Sequence, residues 1–133
     1  MPKRTPLYQQ HLALGARCID FGGWEMPVQY TGIVAEHQAV RAAAGVFDIS
    51  HMGEIWVGGA HASGFLNQTL TNDIGLLAVG ESQYTLMCNE AGGVIDDLYV
   101  YRIANEAFLL MVNATRISAD LHWLEFQASN HGE

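Results

Sequence analysis

Three strand-length apolar segments follow one another closely in the second half of the chain and constrain its fold more than any other feature. We predict strands at residues 83–88, 94–103 and 107–112. The first two are joined by residues 89–93, whose asparagine and glycines suit a tight turn. Parallel strands need a crossover of about a dozen residues or more, so these short connections indicate antiparallel neighbours in a β-meander.

Helices are predicted outside this meander rather than between its strands. The alanine-rich segment 33–44 places apolar residues at helical spacing and predicts a helix. Further helices are predicted near residues 5–15, 60–70 and 115–128. Because the chain does not alternate strand and helix throughout, the predicted class is α+β, an antiparallel meander with flanking helices.

The remaining strand predictions concern the first half of the chain. Short strands are expected at residues 17–21, 46–49 and 54–57. Residues 22–27 contain two glycines and a proline and are predicted to be irregular. Half of all residues are apolar, which is enough for a hydrophobic core, and residues 1–133 are predicted to form one region.

Charge and composition exclude several classes of function. Six basic residues against fourteen acidic ones give a net charge of −8, which opposes binding to nucleic acid. No apolar stretch approaches the roughly 20 residues of a membrane span, and no secretory signal is visible. The prediction is a cytoplasmic protein with neither a nucleic acid nor a membrane as partner. Cys18 and Cys88 are predicted to be reduced, and no clustered Cys–His pattern predicts a metal site.

Two adjacent aspartates interrupt the apolar pattern of the predicted strand 94–103, which otherwise reads as covered on both faces. Strand alternation places Asp97 on the same face as Tyr99 and Tyr101. A carboxylate against aromatic walls is desolvated, which raises its pKa unless a cation or hydrogen-bond donors compensate. Such a group can hold a ligand N–H group or relay its proton, so Asp97 is the candidate catalytic residue.

Two polar residues near Asp97, Asp96 and Asn113, each have two possible interpretations. Asp96 either belongs to the site or accepts backbone N–H groups beside the turn at residues 89–93. Asn113 either contacts a ligand or caps the helix predicted near residue 115, and capping is the commoner role. Ser50 and His51 have the order of a catalytic pair, but no G-x-S-x-G elbow accompanies them. We interpret that segment as structural, with Asp48 or Ser50 bonding local backbone.

Several segments together resemble the T-protein family of the glycine cleavage system. They are Thr5-Pro6-Leu7-Tyr8, FGGWEMPVQY at 21–30, Glu36-His37, GVFDISHMG at 45–53, Thr71-Asn72-Asp73 and NEAGGVIDDL at 89–98. These segments occur in the family's order and span nearly the whole chain. In combination they are far more specific than any one motif.

The resemblance implies an aminomethyltransferase that moves the methylene of the aminomethyl group on lipoylated H-protein to tetrahydrofolate and releases ammonia. Tetrahydrofolate would be the co-substrate, and H-protein the partner. By its place in the Asp-Asp pair, the aspartate that activates folate in the family corresponds to Asp97. The resemblance assigns further folate contacts to Met52, Tyr84, Met111 and Asn113. The family more often has an aliphatic residue at the positions of Tyr84 and Met111.

Members of this family are considerably longer, and their later domains complete the folate pocket. The chain is therefore expected to represent the N-terminal part of such an enzyme, to be inactive alone, and to self-associate through exposed apolar surface. Two alternatives remain, a non-catalytic folate-binding module and an inactive fragment. Relatives such as a folate-dependent demethylase also stay open.

Overall fold

The computed structural model describes residues 1–130 of the chain. The chain divides into two compact units, Met1–His51 and Met52–Glu133. The helices are α1 (Tyr8–Ala13), α2 (Ile33–Ala42), α3 (Ala62–Thr69) and α4 (Ile117–Asn130), with a short 3-10 helix at Ile74–Leu76. The strands are β1 (Arg17–Phe21), β2 (Trp24–Gln29), β3 (Gly53–Gly58), β4 (Ser82–Cys88), β5 (Val94–Ala104) and β6 (Ala107–Val112).

The first unit contains an antiparallel hairpin of β1 and β2. Strand β2 occupies residues 24–29, so the prediction that residues 22–27 are irregular is wrong beyond the turn. Gly22 and Gly23 adopt positive φ angles of 60° and 83°, which lets the chain reverse tightly between the strands. Pro27 is compatible with β2 because a two-stranded sheet consists only of edge strands.

Residues 46–49 form no strand, contrary to the prediction. Val46 and Phe47 are largely exposed, and no described segment pairs with them as a strand. The backbone here is organised by a side chain instead, because Asp48 Oδ1 accepts the N–H of Ser50 at 2.9 Å. A short apolar run has strand propensity, but it forms a strand only where a partner satisfies its backbone groups.

The second unit contains a four-stranded sheet in the order β3-β6-β5-β4, with every neighbouring pair antiparallel. The predicted meander is confirmed as β4-β5-β6, and β3 is added beside β6. One face of the sheet belongs to a buried core that includes residues of α3 and α4. Its fully buried side chains are Leu66, Ile74, Met87, Val100, Phe108, Leu110 and Val112. The α+β prediction is thus confirmed.

Two further properties of the described residues bear on the predictions above. Cys18 and Cys88 are both free thiols. Within residues 1–130, no helix combines the length and apolarity needed to cross a membrane.

Gly53 marks where β3 and β6 meet α4, and its substitution tests that packing. A Cβ at Gly53 would collide with Ile117 and lie 2.8 Å from Val112 Cγ2. We expect Gly53→Ala to lower the free energy of unfolding by about 1–3 kcal/mol through overpacking. Gly64 in α3 has open space around a new Cβ, so Gly64→Ala should raise stability by about 0.5–1 kcal/mol. Chemical denaturation of both variants measures the difference, and a Gly53→Ala protein as stable as Gly64→Ala would contradict this packing.

Candidate functional site

The strand register aligns three residues across the face of the sheet opposite the core. Tyr84 of β4 pairs with Tyr99 of β5, and Tyr99 pairs with Met111 of β6. Side chains that are directly opposite in antiparallel strands point to the same face. Accordingly, the rings of Tyr84 and Tyr99 meet edge to face with centroids 5.5 Å apart. Two of the predicted folate contacts thus lie in one row.

The adjacent row brings in the other predicted residues. Asp97 of β5 pairs with Leu86 of β4, and Asn113 follows β6 at the same level. The pairing of Gly53 with Val112 puts Met52 beside the end of β6. All five residues predicted from the sequence, Met52, Tyr84, Asp97, Met111 and Asn113, therefore lie at one end of one sheet. Their role as ligand contacts stays a prediction.

Two donors hold the Asp97 carboxylate. The Tyr84 hydroxyl donates to Oδ2 at 3.0 Å, and Asn113 Nδ2 donates to Oδ1 at 3.1 Å. The hydrogen bond to Asp97 raises the pKa of Tyr84, and burial adds to the rise. At neutral pH the Tyr84 phenol is therefore a donor, and Asp97 is the acceptor of this cluster.

Asp97 is exposed, which differs from the expected enclosure between aromatic walls. Tyr84 and Tyr99 are about half exposed, at 50% and 48%, so residues 1–130 do not cover β5 on both faces as its apolar pattern predicted. Aromatic neighbours in sequence show only which face a side chain shares. They do not show whether a second layer covers that face.

Asp96 faces the core and is buried, yet both of its oxygens have donors. Oδ2 accepts the backbone N–H of Asn113 at 3.1 Å, and Oδ1 accepts Asn113 Nδ2 at 2.9 Å. The turn is stabilised by another residue, because Asn89 Oδ1 accepts the N–H groups of Ala91 and Gly93. The interpretation that Asp96 accepts N–H groups of the turn at residues 89–93 is therefore wrong. Its backbone donor is Asn113, the residue that follows β6.

Asn113 connects the two aspartates. Its amide nitrogen also donates to the Asp97 carbonyl oxygen at 3.0 Å, so one amide contacts residues on both faces of β5. Helix α4 begins at Ile117, and within residues 1–130 the Asn113 amide oxygen accepts no N–H group of that helix. The alternative interpretation of Asn113 as a helix cap is wrong, because the two carboxylates hold its amide nitrogen and thereby turn the side chain toward β5.

Asp120 is a polar residue of this region that was not predicted from the sequence. It lies on α4 three residues after Ile117 and four before Leu124, so it occupies the apolar stripe of the helix. Its side chain is fully buried at 0% exposure. An aspartate at a position that should be apolar was the available signal.

The segment around Ser50 and His51 has a structural arrangement, as interpreted. Asp48 Oδ1 accepts the Ser50 N–H, and Asp48 Oδ2 lies 2.7 Å from His11 Nε2. His11 Nδ1 lies 2.8 Å from the Tyr30 hydroxyl. His11 was not predicted to take part, because it is 37 residues away from Asp48 in the sequence.

Two concave regions of the molecule lie apart from Asp97. A cavity of about 850 Å³ in the second unit is lined by Gly58, His61, Phe65 and Ala128, among others. A cavity of about 480 Å³ in the first unit is lined by Pro27, Tyr30, His37 and Phe47, among others. Neither contains any of the five predicted residues. The Asp97 cluster is an open surface of the sheet rather than part of either cavity.

The fold and the site define a class, an α+β domain whose antiparallel sheet presents a carboxylate, a phenol and an amide on its open face. Residues 7–132 match the family model described as the GCVT N-terminal domain. The match covers nearly the whole chain, and the chain therefore belongs to this family.

Named relatives agree with the family match. The chain is 55% identical over 126 residues to an aminomethyltransferase of Desulfitobacterium hafniense, covering 95% of this chain and 34% of that protein. It is 54% identical over 123 residues to an aminomethyltransferase of Thermus thermophilus, covering 92% of this chain and 35% of that protein. The chain thus spans about a third of the length of these relatives.

A solved structure supports the same fold. The crystal structure of glycine cleavage system aminomethyltransferase T from Bartonella henselae is similar with a TM-score of 0.86 and 43% sequence identity. The similarity covers 96% of this chain and 36% of that chain. The resemblance to the T-protein family is confirmed.

Proposed function

We propose that this chain contributes a folate-binding surface to an aminomethyltransferase of the glycine cleavage system, with Asp97 as its catalytic residue. Tetrahydrofolate is the proposed co-substrate, lipoylated H-protein the proposed partner, and the cytoplasm the proposed location. Membership of the family and the names of the relatives support the reaction class. The observation that carries the site is the exposed Asp97 carboxylate, held by Tyr84 and Asn113.

The residues around Asp97 suit a reduced pterin in their chemistry. A pterin ring is flat and carries N–H donors, and Asp97 is an exposed carboxylate acceptor beside two half-exposed tyrosine rings. Aromatic faces favour stacked or edge contacts with another ring. Met111 and Met52 add polarisable, adaptable side chains at the same end of the sheet. Polar and apolar groups are thus present in the combination that small-molecule sites use.

Asp97 has a defined task in the proposed transfer. Two N–H bonds of tetrahydrofolate are replaced by bonds to the methylene carbon, while that carbon loses its bonds to nitrogen and to the lipoyl sulfur. The two hydrogens end on ammonia and on the lipoyl thiol, so the atoms balance. By accepting a hydrogen bond from a folate N–H, Asp97 would direct the lone pair of that nitrogen at the methylene carbon. It would also assist the loss of the proton from the same nitrogen.

The test is tetrahydrofolate binding to the chain, measured anaerobically by calorimetry. We expect saturable binding, with Asp97→Asn weakening the affinity about tenfold or more because an acceptor of a charge-assisted hydrogen bond is lost. Glu54→Gln is the matched control. Glu54 is another exposed carboxylate of the same sheet, in register with Met111, and has no role in the proposed contact.

The outcomes separate the candidate functions. Equal weakening by Asp97→Asn and Glu54→Gln would indicate general electrostatics and contradict a specific role of Asp97. No binding by a folded, monodisperse sample would favour the inactive fragment. Turnover with lipoylated H-protein then distinguishes an enzyme from a non-catalytic folate-binding module. We expect no turnover by this chain alone, because the described residues cover only one side of the site.

Self-association of the chain is also proposed. Trp56, Tyr84 and Tyr99 are exposed on the same face of the sheet, and contiguous exposed apolar surface favours association. Residues 1–133 are proposed to represent the N-terminal part of the enzyme's folate-binding region.

A further inference from the structure

A pair of buried carboxyl groups lies behind the Asp97 cluster. Asp120, in the first turn of α4, is 0% exposed, and the buried carboxyl of Asp96 on β5 is near enough to act on its ionisation. Among residues 1–130, no N–H or other polar hydrogen is donated to either Asp120 oxygen. Two ionised carboxyl groups side by side in a core, one of them without any donor, are strongly unfavourable. One proton shared by the pair removes this conflict.

The hydrogen bonds indicate which residue carries that proton. Asp96 accepts two N–H groups of Asn113, so both of its oxygens act as acceptors. Asp120 accepts none, and a protonated Asp120 can donate its O–H to Asp96. Burial raises the pKa of Asp120 to about 7, and the neighbouring Asp96 adds to the rise. Arg116 opposes the rise, although its Nε donates to the Ile95 carbonyl oxygen at 3.0 Å.

The charged groups around Asp120 are few. Helix α4 packs against α3 and β5, and its first residue, Ile117, meets β3 and β6, whose one charged side chain, Glu54, is exposed on the other face of the sheet. Helix α3 has no ionisable side chain, and β5 contributes Asp96. Arg116, the residue before α4, is the cation that acts on Asp120 within the described part of the chain. The protonation of Asp120 therefore depends mainly on Asp96 and on burial.

The pair is linked to the open face of the sheet through one amide. Asn113 Nδ2 has two hydrogens and three nearby acceptors, Asp96 Oδ1 at 2.9 Å, the Asp97 carbonyl oxygen at 3.0 Å and Asp97 Oδ1 at 3.1 Å. One hydrogen points to the core aspartate, and the other is shared by the two Asp97 oxygens. Fixing Asp96 thus fixes the Asn113 amide, which in turn orients the Asp97 carboxylate.

We propose that Asp120 is a positioning residue whose proton secures Asp96 as the anchor of Asn113 and thereby orients Asp97. The inference rests on the proposed folate site only for its functional consequence. Because the folded pKa is raised above the ordinary 3.8, the stability contributed by protonated Asp120 is complete below pH about 4. It is lost as pH rises through about 7. Folate affinity should decline over the upper part of this range, as the pair loses its proton and its carboxylates repel.

Carboxyl ¹³C NMR of the aspartate-labelled protein tests the pair directly. We expect one aspartate resonance to titrate near pH 7, and this titration to be absent from Asp120→Asn. The side-chain amide resonance of Asn113 should shift with the same midpoint in the wild type and show no such shift in Asp120→Asn. An Asn113 amide shift that does not change with pH over the titration of Asp120 would overturn the positioning role. A wild type without any aspartate that titrates near neutral pH would overturn the shared proton.

A binding arm measures the consequence for folate. Asparagine at position 120 can still donate an N–H to Asp96, whereas leucine has similar size and no donor. We expect Asp120→Asn to bind tetrahydrofolate within about threefold of the wild type at pH 6, and Asp120→Leu about tenfold more weakly. Equal affinities of two folded variants would contradict the proposal. If the wild type does not bind tetrahydrofolate, the proposed function fails while the NMR arm still decides on the pair. The NMR experiment likewise still tests the positioning role of Asp120 when the Asp120→Leu variant fails to fold.

Discussion

Replacing Phe108 by alanine is expected to lower the free energy of unfolding by about 3–5 kcal/mol. Phe108 is fully buried on β6, at 0% exposure, in the core shared by the sheet, α3 and α4. Truncation removes the ring from this core and leaves a cavity that well-packed neighbours fill only partly. The Arg102 guanidinium, 5.5 Å from the ring centroid, also loses its cation–π partner.

Phe126→Ala provides the matched control, because the same atoms are removed from a side chain that is 45% exposed on α4. Its expected loss is about 1 kcal/mol, since less apolar area returns to water and little cavity forms. Equilibrium denaturation followed by fluorescence of Trp56 and Trp123 reports on both variants. Equal losses for the two phenylalanines would contradict the buried position of Phe108.

Phe108 also connects core stability to the candidate site. Its strand carries Met111 on the opposite face and leads into Asn113. A cavity under β6 should loosen the strand that presents these residues. We therefore expect Phe108→Ala to weaken tetrahydrofolate binding as well, without removing any atom of the proposed contact.

The meander was predictable from the sequence because its evidence is local. Short links at 89–93 and 104–106 force adjacent antiparallel strands, and alternation along β5 then separates Asp96 from Asp97. Strand β2 and the irregular segment 46–49 were predicted incorrectly. In each case the backbone's hydrogen-bond partner decided the structure, β1 for the former and the Asp48 carboxylate for the latter.

The site was only partly predictable, for a related reason. Alternation indicated Asp97, and the family resemblance indicated Tyr84 and Asn113, but neither the bond between Tyr84 and Asp97 nor the bridge through Asn113 is a local property. A residue before a helix is usually read as a cap. Only the register of β5 and β6 shows that two carboxylates compete for that amide. Asp120 could not be predicted as part of this region, because the prediction required knowledge of which face of α4 is buried.

Neutralising a buried carboxylate in the first unit is expected to cause the second large loss of stability. The Asp48 side chain is only 1% exposed and pairs with His11, whose ring also contacts the Tyr30 hydroxyl. Burial by itself raises the pKa of Asp48. The hydrogen bond from His11, together with the contacts of Thr5 and Ser50, outweighs burial and leaves the pKa well below its ordinary value of 3.8. Asp48→Asn should lower the free energy of unfolding by about 3 kcal/mol at neutral pH, because a buried ionic hydrogen bond loses its charge.

The effect of this substitution must depend on pH in one direction. A carboxyl whose folded pKa lies below its unfolded pKa contributes stability that is present above pH about 4 and is lost as pH falls through the folded pKa. The stability difference between wild type and Asp48→Asn should therefore be constant above pH about 5 and shrink on further acidification. Denaturation followed by Trp24 fluorescence at several pH values measures it. Asp20→Asn is the control, since Asp20 is exposed and its Oδ1 contact to the Gly23 N–H survives as an amide. A difference that grows at acid pH would mean that Asp48 is not ionised in the folded protein.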